Sequence, residues 1–289
     1  MTNPHIPDGY DTAEAFLDEA RRRFQEGVDA DRENREAALD DLKFVAGDQW
    51  DETVRAGRLK KGRPCLSINT LPQYIGQVIG DMRMNRPAIK VRPAEGGDVE
   101  TAAVRQGLIR SIEAQSNAAS VYALAGEDQV ACGIGHFRVS LAYAADDSFD
   151  QDIRIEHVPN PFGVVWDAAS VEPTGADADF CFVVDEIDRK TFEKAYPDAV
   201  TTELTTPVEQ PGWIGRDVVR VTQYWLMREE TRRLALVMRP PATQPSIEDV
   251  TGREDEVAPI IVKEPGRAPR VRDKITRSAV MYLITGREI

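Results

Sequence analysis

The chain has 289 residues, 42% of them hydrophobic, enough for one sizeable core or two modest ones. Its formal charge of −13 excludes a surface that wraps nucleic acid broadly, because such a surface has to be basic to displace the counterions condensed on phosphate. Any contact with a polyanion must therefore be local.

Asp11 is placed to cap a first helix, with Glu14 at its third position and Phe16, Leu17, Ala20 and Phe24 at helical spacing. Within it, Arg21, Arg22 and Arg23 lie among Asp18, Glu19 and Glu26, so the run "EARRR" reads as a self-neutralised, solvated face rather than a phosphate site. Gly27 predicts a break, after which Ala38, Leu39, Leu42 and Val45 mark a second amphipathic helix ending near Gly47. Residues 48–64 are polar and punctuated by glycine, a loop anchored by Trp50. Helical spacing returns after Asn69 with Ile75, Val78, Ile79 and Met82, and Pro87 stops it by disfavouring helical geometry at Arg86. In "AIKVRP", Ile89 and Val91 alternate with Lys90 and Arg92, the period of a half-buried strand. The stretch "GDMRMNRPAIKVRP", residues 80–93, thus reads as a basic helix-to-strand corner. Asp98 can cap the next helix, where Val104, Leu108 and Ile112 recur, and Val121, Tyr122 and Ala125 renew the pattern to about Ala131.

The second half changes period. Phe137, Val139, Leu141 and Tyr143 alternate with Arg138, Ser140 and Ala142, and Ile153 and Ile155 alternate with Arg154 and Glu156 beyond the acidic turn "ADDSFDQD", which predicts a hairpin. Further strands are expected at 163–167, 180–186, 217–227, 233–238 and 275–284, with a short helix from Arg189 to Tyr196. Segments 201–216 and 240–271, rich in Pro, Gly, Thr and charge, read as exposed loops. The fold class is α+β: a mainly helical part over 1–135 and a β-rich part over 136–289.

The chemical motifs are weak. "GRLKKGRP", residues 57–64, imitates a P-loop, but Arg63 and Pro64 replace the Lys and Ser/Thr that reach phosphate and magnesium. "CGIGHF", residues 132–137, holds a lone GxG followed by a strand, which suits the end of a helix better than a dinucleotide site. His5, His136 and His157 have no metal-ligand spacing, and His157 extends an apolar strand face as a structural histidine would. No GxSxG elbow or Cys/His pairing proposes a nucleophile. Asp146, Asp147, Asp150 and Asp152 are the acids a magnesium-dependent nuclease would need, but a long turn would not hold them preorganised. Cys65, Cys132 and Cys181 lack CxxC spacing, suggest neither zinc nor disulfides, and fit a reducing compartment. The opening "MTNPHIPDGYDTAEAF" has no secretory-leader pattern, and no run approaches about 18 apolar residues, so neither secretion nor a membrane partner is expected. The sequence proposes no cofactor, no metal and no catalytic residue.

In order along the chain, "GDQW", "RPCLSIN", "GDMRMNRPAIKVRP", "GLIRSIE", "GIGHFRVSL", "IRIEHVPNPFGVVWD" and "MYLITGREI" resemble the portal proteins of short-tailed bacteriophages. The resemblance implies a ring subunit, one of about twelve identical copies, at one vertex of the viral head. It implies passage of double-stranded DNA without sequence recognition during packaging and ejection. The implied partners are other copies of itself, capsid and scaffolding proteins, the terminase motor and tail or adaptor proteins. The implied location is the virion, after assembly in the host cytoplasm. Portal chains are longer, and the expectation is that these residues form the N-terminal wing region, stopping before the stem, clip and crown. The candidate structural or interface residues on the matched motifs are Trp50, Arg63, Pro64, Asn69, Arg83, Asn85, Arg86, Pro87, Arg138, Asn160, Pro161 and Asp167. Arg83 and Arg86, at i,i+3 near a helix C-terminus, are expected to hold carboxylates of the same or the next subunit rather than phosphate. The competing readings are a nuclease using the 146–152 acids and a capsid adaptor that forms no ring.

Overall fold

Thr12, rather than Asp11, opens the first helix: its hydroxyl accepts from the Ala15 amide at 3.1 Å. Helix α1 then spans Ala13–Ala30 and passes through Gly27 without the expected break, reaching α2, Arg32–Val45, across Asp31. A single glycine weakens a helix but does not end it when the flanking turns continue the ladder. The computed structural model describes residues 10–85, 88–93, 98–172, 174–197, 218–238, 245–262 and 270–284. They divide into two compact units, one of Gly27–Val164 and one built from the residues up to Glu26 with those from Val165 onward.

In the Gly27–Val164 unit, the expected loop at 48–64 contains a helix, α3, Glu52–Lys60, whose N-terminus is capped by Asp51 through the amides of Thr53 and Val54. It buries no residue, so no apolar period announces it. Helix α4, Leu71–Met84, follows, and Asn85 closes it. The expected strand over "AIKVRP" is absent. Residues 88–93 instead run beside α5, Val99–Gln115, where Gln106 accepts from the Val91 amide at 2.7 Å and donates to the Ile89 carbonyl at 2.6 Å. One side chain thus supplies the two backbone bonds that a partner strand would have made. Asp98 caps α5 as its position predicts, accepting from the Glu100 amide at 2.9 Å.

Helix α6, Ala118–Cys132, ends where Gly133 takes φ of 82°. Two residues on, a Cβ at Gly135 would lie 1.9 Å from the Ala125 carbonyl oxygen. The first glycine of "GIG" therefore serves a left-handed turn and the second a close backbone approach. Strands β1, Phe137–Tyr143, and β2, Gln151–His157, pair antiparallel with Phe137 opposite His157 and Leu141 opposite Ile153. The hairpin is the expected one, yet its facing is inverted. Phe137, Val139, Leu141 and Tyr143 are exposed, and the half-buried row is Arg138, Ser140 and Ala142. Ala38, Cys132 and Phe162 form a small buried cluster, with Leu39, Leu42 and Ile134 packed around it.

The other unit is a five-stranded sheet of β3, Val164–Trp166, β4, Phe180–Asp188, β5, Val218–Val237, β6, Ser246–Asp249, and β7, Val271–Ile284. β4 and β6 pair with one edge of β5, and β7 runs along the other, all antiparallel. The two strands expected at 217–227 and 233–238 are a single 20-residue strand. Its polar middle, Arg228 to Arg232, stays in the ladder opposite Ser278 to Lys274. Such charged residues resemble a turn in sequence, but cross-strand partners keep them extended. Short helix α7, Arg189–Ala195, follows β4 under an Asp188 cap and buries Phe192 against Val219 and Val221. The expected loop at 240–271 contains β6 and the helical turn α8, Glu254–Val257, with Val250 and Val257 buried against Ala235 and Val237; the expectation for 201–216 lies outside the described residues. The aromatic core of this unit joins Phe16 to Tyr282 at 5.0 Å between ring centres and stacks Phe182 on Tyr224 at 4.2 Å.

Candidate functional site

Several of the residues singled out by the motifs fall into local joints that hold backbone. The first lies at the end of α2. Asn69 donates from Nδ2 to the Val45 carbonyl at 2.7 Å, and its Oδ1 accepts from Gln49 at 3.2 Å and from the Leu71 amide at 3.3 Å. Trp50 donates its indole N–H to the Leu66 carbonyl at 3.2 Å. The Arg58 guanidinium sits 4.8 Å above the Trp50 ring and donates to the Pro64 carbonyl at 2.8 Å. Trp50, Pro64 and Asn69 thus meet as one clamp on the segment "RPCLSIN", with Arg63 exposed beside it. Arg58, inside the imitation P-loop, is the member that sequence reasoning missed, since nothing in the sequence separates it from its neighbours Lys60, Lys61 and Arg63.

The second joint follows β2. Asn160 Oδ1 accepts from the Phe162 amide at 3.0 Å, and Pro161 starts a single 3₁₀ turn that is buried throughout. Arg35 of α2 donates to both the Phe162 carbonyl, at 2.7 Å, and the Val164 carbonyl, at 2.6 Å, while Asp31 accepts from its Nε at 3.1 Å. Burial pulls the Arg35 pKa down and Asp31 opposes that shift. Nothing in the sequence separates Arg35 from an ordinary helix-surface arginine with an i,i+4 acid. Nearby, Arg138 pairs across the strands with Glu156 at 3.1 Å, and His157 bonds Asp128 at 2.7 Å. His136 is held below the usual imidazole range by burial first and by the Arg35 charge second.

The third joint belongs to the sheet unit. Asp167 accepts from the amides of Ala169 and Asp179, both at 3.0 Å. Asp177 accepts from the Val171 amide and the Ser170 hydroxyl, both at 2.7 Å, and these bonds hold its carboxyl down at about 2. Arg277 of β7 reaches the same loop through Asp179 at 2.8 Å.

At the basic corner, Arg83 is exposed near the C-terminus of α4, and it has no ion-pair partner among the described residues. Asn85 donates its amide to the Asp81 carbonyl at 3.0 Å. Arg86 and Pro87 lie outside the described residues. Of the turn acids, Asp152 pairs with Arg154 at 3.2 Å, and Asp146, Asp147 and Asp150 are exposed. Among the described residues, no group of three His, Cys, Asp or Glu side chains converges as metal ligands would, and no helix is long and apolar enough to cross a membrane.

In these joints arginines, amides and carboxylates fix loop backbone. The chain belongs to the phage P22-like portal protein family, whose model matches residues 21–289. It is also similar to a protein named portal protein from Acyrthosiphon pisum secondary endosymbiont phage 1, with 24% identity over 288 residues. That match covers 93% of this chain and 40% of the relative, so the chain spans well under half the length of the curated protein it resembles.

Proposed function

We propose that this chain is a structural, non-enzymatic subunit of a portal ring at one vertex of the phage head, around the path taken by double-stranded DNA during packaging and ejection. In this reading the residues form a wing-like part of the ring, and the partners are neighbouring copies, capsid and scaffolding proteins, the packaging motor and the tail. The observation that carries the reading is the family match over residues 21–289. The negative charge supports it, because a passage that must not hold its cargo is better lined by a chain that phosphate avoids. The exposed apolar row Phe137, Val139, Leu141 and Tyr143 supports it too, as a surface suited to protein partners.

Two measurements test it. Electron microscopy of the purified gene product should show closed rings with a central opening. A nonsense mutation in the gene should yield heads without packaged DNA. A monomeric particle together with normally filled heads would overturn the proposal.

A further inference from the structure

The turn between β1 and β2 carries Phe149 at 96% exposure. Asp147 and Asp150 flank it, both exposed, and neither has a cationic partner among the described residues. The same Gly27–Val164 unit holds a cavity of about 440 Å³ lined by Met82, Ile89, Tyr122, Gly126 and Phe137, with Arg83 and Glu113 as its charged members. Its volume is within the range of sites that enclose a ligand group. Glu113 is engaged by the Tyr122 hydroxyl at 3.4 Å, which leaves Arg83 as the lining charge without a described partner.

We propose that Phe149 of one copy seats in this cavity on a second copy of the chain, with Asp147 or Asp150 pairing to the second copy's Arg83. The chemistry of the two surfaces is complementary: an aromatic plug flanked by acids meets an apolar socket bearing an arginine. The plug cannot serve its own socket. Phe137 lines the cavity and begins β1, and the strand then carries the turn roughly 20 Å away at ~3.3 Å per residue. The contact is therefore made between copies, and each copy offers one plug and one socket. The inverted hairpin then has a purpose, since Val139, Leu141 and Tyr143 form an apolar arm beneath the plug that the neighbour covers. The inference rests on the ring reading for its repetition around an axis; plug and socket themselves do not require closure.

Sedimentation velocity on the full chain tests it. The wild type should self-associate, and Phe149→Ala and Arg83→Glu should each weaken association at least about tenfold. Circular dichroism should be unchanged for both, because both side chains are exposed. A 1:1 mixture of the two variants should form a dimer that neither forms alone, since the Phe149→Ala chain keeps its socket and the Arg83→Glu chain keeps its plug. Adding Asp147→Arg and Asp150→Arg to Arg83→Glu should restore association. A wild type that stays monomeric up to about 1 mM, a Phe149→Ala chain that associates like wild type, or a mixture that stays monomeric would each overturn the proposal. Closed rings that persist in images of Phe149→Ala would sink the plug and leave the ring reading standing. Open head-to-tail filaments abolished by Phe149→Ala would uphold the plug and sink the ring.

Discussion

Arg35 shows how one residue can join three parts of a fold. Its guanidinium satisfies the Phe162 and Val164 carbonyls and an aspartate while only 12% of the side chain is exposed. Replacing it with methionine keeps most of the stem packing but leaves the Phe162 and Val164 carbonyls without their donor. Hydrogen bonds to charged groups contribute ~1.5–3 kcal/mol each, and an orphaned buried acceptor costs the desolvation it had escaped. Arg35→Met should therefore destabilise the chain by about 3 kcal/mol, read as a lower urea midpoint with the slope unchanged. Arg35→Lys should recover only part of that, because an ammonium lacks the planar fork that spans two acceptors. A Met variant as stable as wild type would mean that the turn is held by Asn160 and Pro161 alone.

At the scale of elements, legibility followed burial. Helices α2 and α6 and strands β4 and β7 announced themselves through apolar period because each buries a face, whereas α5 shows the period while leaving Val104 and Leu108 exposed. α3 buries nothing, so only its Asp51 cap could have marked it. The middle of β5 is polar and was legible as a turn, since cross-strand pairing to β7 is a long-range fact that local composition cannot carry. The hairpin was legible in extent and pairing and opaque in facing, because period alone says which residues share a side and not which side meets the core. Residues 88–93 kept the alternation of a strand while a glutamine took the place of a neighbouring strand. Gln106→Leu removes both bonds and should cost about 1–2 kcal/mol. Hydrogen exchange at the Val91 amide should accelerate more than at amides within α5. Unchanged protection there would show that Gln106 follows the segment rather than fixing it.

For the molecule as a whole, the question is what the exposed cations meet on a chain of formal charge −13. The candidate residues were picked out by their ordered motifs alone; the bonds that some of them make, such as those of Asn69 and Trp50, depend on carbonyls far off in sequence. Arg83 remains the residue where two functions compete. If Arg83 and Arg86 grip phosphate, each contact releases condensed counterions and contributes ~0.9 to the slope of log affinity against log salt on duplex DNA. The variant Arg83→Ala with Arg86→Ala would then lower that slope by about 2. If Arg83 instead waits for a carboxylate of the next copy, the slope stays as it is while self-association weakens. The second outcome is expected, because a short acidic turn brings an aromatic anchor for the apolar lining around Arg83, which a phosphate lacks, and carries far less charge than a duplex for a chain of net −13 to repel. Salt titrations of duplex binding, run beside sedimentation on the same samples, separate the two in one experiment.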